Sequence, residues 1–142
     1  MRNIIISLIT LLTLTGCMHN NGDIGNFFGV WKVESINIDN EIDNNYNGDI
    51  FFLFQSDVVR LVQNRGNYDV TEYYGSWIEN DSHLILDFHY YVEQIKETYN
   101  LPEITYLQKS ENHITILSQT AKRMVWQFNT IDKTITYNLI RQ

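Results

Sequence analysis

The chain has 142 residues, enough for one domain with a core of its own. Hydrophobic residues make up 44% of it, and one proline with seven glycines excludes a disordered or collagen-like chain. A net charge of −7 excludes the basic footprint of a nucleic-acid binder and is repelled by anionic headgroups, so membrane contact must come from something other than a basic patch.

The N-terminus reads as an address. Met1-Arg2-Asn3 is short and positive, and residues 4–14 are apolar apart from Ser7, Thr10 and Thr13. That run is too short to cross a bilayer, which takes about 20 residues, and has the length of a signal-peptide core. It ends in Leu14-Thr15-Gly16-Cys17, which resembles the bacterial lipobox. The resemblance implies cleavage before Cys17 and acylation of that cysteine. Several acyl chains, at about 0.8 kcal/mol per buried methylene, anchor a protein essentially permanently. Cys17 is the only cysteine, so neither an intrachain disulfide nor a multi-cysteine metal site is expected. Met18 is not the aspartate that retains such proteins at the inner membrane of enterobacteria, which implies the outer membrane. Periplasmic and surface-facing orientations both stay open. Residues 1–16 are thus a lipoprotein signal peptide, residues 17–26 a flexible Asn- and Gly-rich tether, and residues 27–142 the folded domain.

Aromatic residues at 13% and frequent Val, Ile and Thr favour strands over helices. The first strand is expected over 29–38. Gly29 opens it with a backbone that can take conformations other residues avoid. Trp31 follows, bulky enough to plug one end of a barrel, and shares a face with Val33 and Ser35. Residues 39–47 form a polar loop. In 50–55, Phe52 and Phe54 share one face. Residues 58–63 pair back as a hairpin, and 64–67 turn the chain. Residues 73–79 form a strand in which Gly75 and Trp77 repeat the glycine-x-tryptophan spacing. Residues 83–89 alternate cleanly, with Leu84, Leu86 and Phe88 on one side. Residues 91–100 carry Val92, Ile95 and Tyr99 at helical spacing before Pro102, and read as a lid helix or as a long loop. Four more strands are expected at 103–108, 113–119, 122–129 and 134–140, with a polar turn at 109–112. Nine short strands joined by polar turns predict an all-β protein: an up-and-down antiparallel meander closing into a barrel of eight to ten strands, with one short helix near 91–100 at most.

Lipobox, short tether, glycine-x-tryptophan strand and meander, in that order, resemble the small lipocalin-like lipoproteins of Bacteroidetes. The similarity rests on Gly29-Val30-Trp31, Tyr74-Gly75-Ser76-Trp77 and Arg141. It implies that Arg141 packs over Trp31 by a cation–π contact, so that Gly29, Trp31 and Arg141 together form the plug. The lipocalin Thr-Asp-Tyr motif is missing from the late strands; Thr71-Glu72-Tyr73 is chemically similar but lies too early.

Candidate chemistry is sparse. His83, Asp87 and His89 share a strand face, but alternate residues stand about 7 Å apart, too far for one ion with ligands at about 2 Å, so a solvated outer face is expected rather than a metal site. No nucleophile elbow, paired-histidine motif or phosphate-cradling loop is visible, so neither an enzyme nor a cofactor is expected. Phe52, Phe54, Tyr74, Trp77 and Phe88 are the candidate ligand-binding residues, for a small apolar or amphipathic molecule inside the barrel. The alternative is a filled core with an outer face that docks an envelope protein or a glycan. A Cys17→Ala variant is expected to stay unprocessed and to take up no palmitate label, read by metabolic labelling and mobility on gels.

Overall fold

The computed structural model describes residue 25, residues 27–89 and residues 100–142. The signal peptide, nearly all of the tether and all but the last residue of the helical stretch expected at 91–100 lie outside the described residues. Among the described residues there are nine strands: β1 (Gly29–Ile38), β2 (Glu41–Ile42), β3 (Ile50–Gln55), β4 (Val58–Asn64), β5 (Val70–Asn80), β6 (His83–Asp87), β7 (Glu111–Gln119), β8 (Arg123–Asn129) and β9 (Thr134–Arg141). Apart from β2, each pairs antiparallel with the next, and β9 pairs back onto β1. The result is a closed eight-strand barrel with β2 as a short appendage on the end of β1.

Two-residue turns set the register where strands follow closely. Asp39 and Asn40 join β1 to β2 with φ of 50° and 73°, the left-handed geometry that a tight hairpin demands and that Asp and Asn tolerate. Ser56 and Asp81 take the same region between β3 and β4 and between β5 and β6. These turns, the start of β1 and the end of β9 mark the lower end of the barrel, except the first. The upper end carries longer connections, at 39–49, 65–69, 88–110 and 130–133.

The period-2 pattern then decides what points inward. In β3, Ile50, Phe52 and Phe54 are buried. In β8 they are Met124, Trp126 and Phe128, and in β9 Ile135, Tyr137 and Leu139. Leu84 and Leu86 of β6 join them, with Phe88 just beyond.

Several expectations are corrected. Ser35 does not share the Trp31 face. A β-bulge between Val33 and Ser35 inserts Glu34 as an extra residue opposite β9, so the inward set becomes Trp31, Val33 and Ile36. Residues 103–108 are not a strand. Pro102 precedes a single 3₁₀ turn, Glu103–Thr105, and Tyr106 then takes a left-handed φ of 57°, which no ladder accommodates. That segment crosses the upper end and buries Leu101, Thr105 and Leu107. The expected turn at 109–112 is shorter, because β7 starts at Glu111 and Asn112 is buried. Asn112 Nδ2 donates to Leu86 O, Gln108 O and Ser110 O, while its Oδ1 accepts from Gln108 N, so one amide satisfies the backbone of the whole corner.

Gly75 marks the closest approach in the barrel wall. A Cβ there would lie 2.4 Å from Asp87 O and 2.9 Å from the Phe88 ring. The missing side chain is what lets Phe88 fold over β5. Gly75→Ala is expected to lower stability by about 1–3 kcal/mol, as overpacking does, without unfolding the barrel. A denaturant melt with an unchanged midpoint would contradict this approach.

Candidate functional site: the barrel interior and its two ends

The lower end is closed by a tryptophan, a phenylalanine and an arginine. Trp31 and Arg141 are register partners across β1 and β9, so their side chains leave the sheet on the same side. Trp31 is wholly buried; Arg141, at the rim, lays its guanidinium over the indole with Cζ 5.3 Å from the ring centroid. A contact of this kind contributes about 0.5–2 kcal/mol. Arg141 also donates to Phe28 O, and to Ala121 O at 3.3 Å. Gly29 has a φ of 121°, and a Cβ there would meet Arg141 Nε at 3.3 Å. Glycine is therefore required twice over, for the backbone and for room. Trp31 Nε1 donates to Phe27 O at 2.8 Å, which draws Phe27 into the barrel, where it is also wholly buried.

Above this plug the interior is a cluster of rings. Phe27 contacts Phe54 at 5.2 Å and Trp77 at 5.4 Å between centroids. Phe54 meets Trp77 edge-on at 5.1 Å, and Phe52 meets Trp126 edge-on at 5.2 Å. Tyr137 packs on Phe52, Trp126 and Phe128. Edge-to-face pairs of this kind contribute about 0.5–1.5 kcal/mol beyond the area they bury. Two indole nitrogens in this cluster, Trp77 Nε1 and Trp126 Nε1, are buried without a hydrogen-bond partner among the described residues.

The upper end is held by polar groups. The bulge frees the Val33 carbonyl from the ladder, and Tyr46 Oη donates to it at 2.8 Å while accepting from Ile50 N. Asp43 is buried and accepts from Asn45 N at 2.9 Å, from Asn45 Nδ2 and, across the barrel mouth, from Tyr106 Oη at 2.8 Å. Lys133 Nζ lies 5.8 Å from the Tyr106 ring centroid. Tyr137 Oη, from the middle of β9, donates to Thr105 O. Three connections therefore converge on Tyr106 and its neighbour. The backbone N–H of Asn45 is the main cause that holds the Asp43 carboxyl below its ordinary range, with Tyr106 assisting against burial. Burial pushes the Tyr106 hydroxyl up to about 12, and the Asp43 charge adds to it.

The structure brings Phe52, Phe54, Trp77 and Phe88 together inside the barrel. Tyr74 is a correction. It lies on the outer face of β5, where its hydroxyl donates to Glu72 beside Arg60, because it is one residue out of phase with Tyr73 and Gly75. Trp126, Tyr137 and Phe27 were missing from the expected set. The Met124-x-Trp126-x-Phe128 alternation carried the signal for Trp126, and Ile135-x-Tyr137-x-Leu139 for Tyr137. No pattern marks Phe27, which lies outside any strand. His89 Nδ1 sits 2.9 Å from Asp87 Oδ1 on the outside, and among the described residues no three His, Cys, Asp or Glu side chains come together to hold a metal ion.

Residues 12–136 match the family model of the lipocalin-like domain. The chain belongs to that family. The lipocalin-like barrel is similar to the crystal structure of a lipocalin-like protein from Bacteroides uniformis, with a TM-score of 0.62 at 9% identity, covering 83% of this chain and 100% of that one. It is also similar to an uncharacterized protein from Bacteroides eggerthii, with a TM-score of 0.59 at 12% identity, covering 82% and 99%. At such identities the likeness concerns the fold alone. No curated protein matches the chain.

Asp43 makes the upper end of this lipocalin-like barrel sensitive to acid. A carboxyl whose folded value lies below its unfolded value of about 3.9 contributes stability that is fully present above that value and is lost as pH falls through the lower folded one. Asp43→Asn is therefore expected to lower stability at neutral pH and to flatten its decline below about pH 4, measured as denaturant midpoints across an acid series.

Proposed function

We propose that this chain is a non-catalytic binding module of the cell envelope, anchored through lipid on Cys17 at the outer membrane, whose barrel takes a small apolar or amphipathic molecule. One observation carries the reading. A closed lipocalin-like barrel presents an aromatic interior built from Phe52, Phe54, Trp77 and Trp126, and the buried polar residues among the described ones, Asp43, Gln63, Thr105 and Asn112, lie toward the upper end. Apolar walls with a few polar groups at one end are how sites for such ligands are built. The strong plug below and the polar segment above favour access from the upper end, past residues 100–108.

A second reading, docking of an envelope protein or a glycan, is favoured by a different observation. Tyr68 and Ile131 stand fully exposed on two turns of the upper end. Isolated exposed apolar residues are ordinary; these two stand on opposite sides of the mouth, on the β4–β5 and β8–β9 turns, so a partner that meets both would span the upper end.

Titration with Nile red, an uncharged apolar dye, separates the two. All three tryptophans point into the barrel, so binding inside is expected to quench tryptophan emission and raise dye emission with a common saturation curve. No saturable response would contradict the ligand-binding reading and leave the docking surface.

A further inference from the structure

The two unsatisfied indoles carry more than the barrel alone does. Trp126 is wholly buried at the centre of the barrel, and its Nε1 finds no acceptor among the described residues; Trp77 Nε1, from the adjoining ring cluster, is likewise buried and unpartnered among them. Both rings pack on Phe27 and Phe54. Buried N–H groups are nearly always paired, and leaving one unpaired is costly. Trp31, the third indole, shows the ordinary solution by donating to Phe27 O.

Water is a poor partner for Trp126. A buried water needs two to four polar contacts, and the rings packed on this indole are Phe27, Phe52, Phe54 and Tyr137. The Tyr137 hydroxyl gives its proton to Thr105 O, which leaves its oxygen as the one polar atom that those rings offer a water, fewer than the two to four it needs. A single acceptor atom carried on an apolar body satisfies the indole without asking for further partners.

The charge of that acceptor follows from its surroundings. Among the described residues no Lys, Arg or His is buried, and the buried charge is Asp43 at the upper end. A carboxylate brought to Trp126 would lose its hydration with no cation to offset the loss. A ketone, ester or ether oxygen accepts the same hydrogen bond at little desolvation cost. Of Phe27, Phe52, Phe54 and Tyr137, the rings packed on Trp126, Phe27 alone lies outside a strand, so its displacement would make room.

We propose that Trp126 Nε1, with Trp77 Nε1 near it, reads the buried end of the ligand: the barrel selects an apolar molecule bearing an uncharged hydrogen-bond acceptor over the corresponding anion. This rests on the ligand-binding reading above and names its substrate class.

The test compares 2-undecanone with undecanoate on the full-length chain labelled with ¹⁵N at tryptophan, the indole signals being assigned with single Trp→Phe variants. The ketone is expected to bind at least about tenfold more tightly than the carboxylate, and to move the Trp126 indole proton downfield as it gains an acceptor. Trp126→Phe is expected to lower ketone affinity by about two- to tenfold, the range of one neutral hydrogen bond. Phe27→Ala is expected to raise it. Should Trp126→Phe fail to fold, the indole shift in the unaltered chain decides. Equal affinity for ketone and carboxylate, or an unmoved Trp126 signal at saturation, would overturn this inference while Nile red binding left the broader reading standing. Failure of Nile red and both undecyl probes to bind would overturn both.

Discussion

The pairing of β1 with β9 is the constraint on which the rest of the structure depends. It converts a meander with two exposed edges into a cylinder with none, so that every long strand has partners on both sides. It also fixes chemistry at a distance in sequence. Because Trp31 stands opposite Arg141 in the register, the plug at the lower end is a consequence of closure and not a separate device. Gly29, Phe27 and Phe28 then fall into place around those two side chains through the contacts that the indole nitrogen and the guanidinium make with the backbone.

Closure at the other end is bought with a bulge. Glu34 is squeezed out of the ladder so that Trp31, Val33 and Ile36 can all face inward along a strand that must twist to meet both β3 and β9. The Val33 carbonyl left over is taken by Tyr46, and the same loop brings Asp43 under Tyr106. The upper end is therefore tied by hydrogen bonds among loops, whereas the lower end is tied by rings and a cation. Polar ties between loops open at lower cost than a buried aromatic plug. This asymmetry is the physical basis for the proposal that a ligand enters at the upper end.

Much of the fold was legible because a period of two, once one face is buried, allows one register. The alternation in 50–55 and 83–89 placed Phe52, Phe54, Leu84 and Leu86 inside, and the turns at 56–57 and 81–82 fell where Ser and Asp could take left-handed backbone. What was not legible came from features that break periodicity. The bulge at Glu34 shifts the phase halfway along β1, and no local residue type announces it. Residues 103–108 alternate as a strand would, yet Pro102 and the left-handed Tyr106 turn them across the barrel mouth. Tyr74 lay one position from the inward face; the period of two that runs back from Trp77 through Gly75 selects Tyr73 instead. Phe27 entered the core through a hydrogen bond to its carbonyl, which depends on a fold not yet formed when the sequence is read. The contact of Arg141 with Trp31 came from family resemblance, since nothing local links residues at opposite ends of the chain.

Amide hydrogen exchange tests the closure most directly. In a closed barrel the backbone amides of β1 and β9 should exchange as slowly as those of β4 and β5, which lie far from the seam and are paired on both sides. Exchange in β1 and β9 at the rate of the turns, with β4 and β5 still protected, would mean an open sheet and would contradict the account.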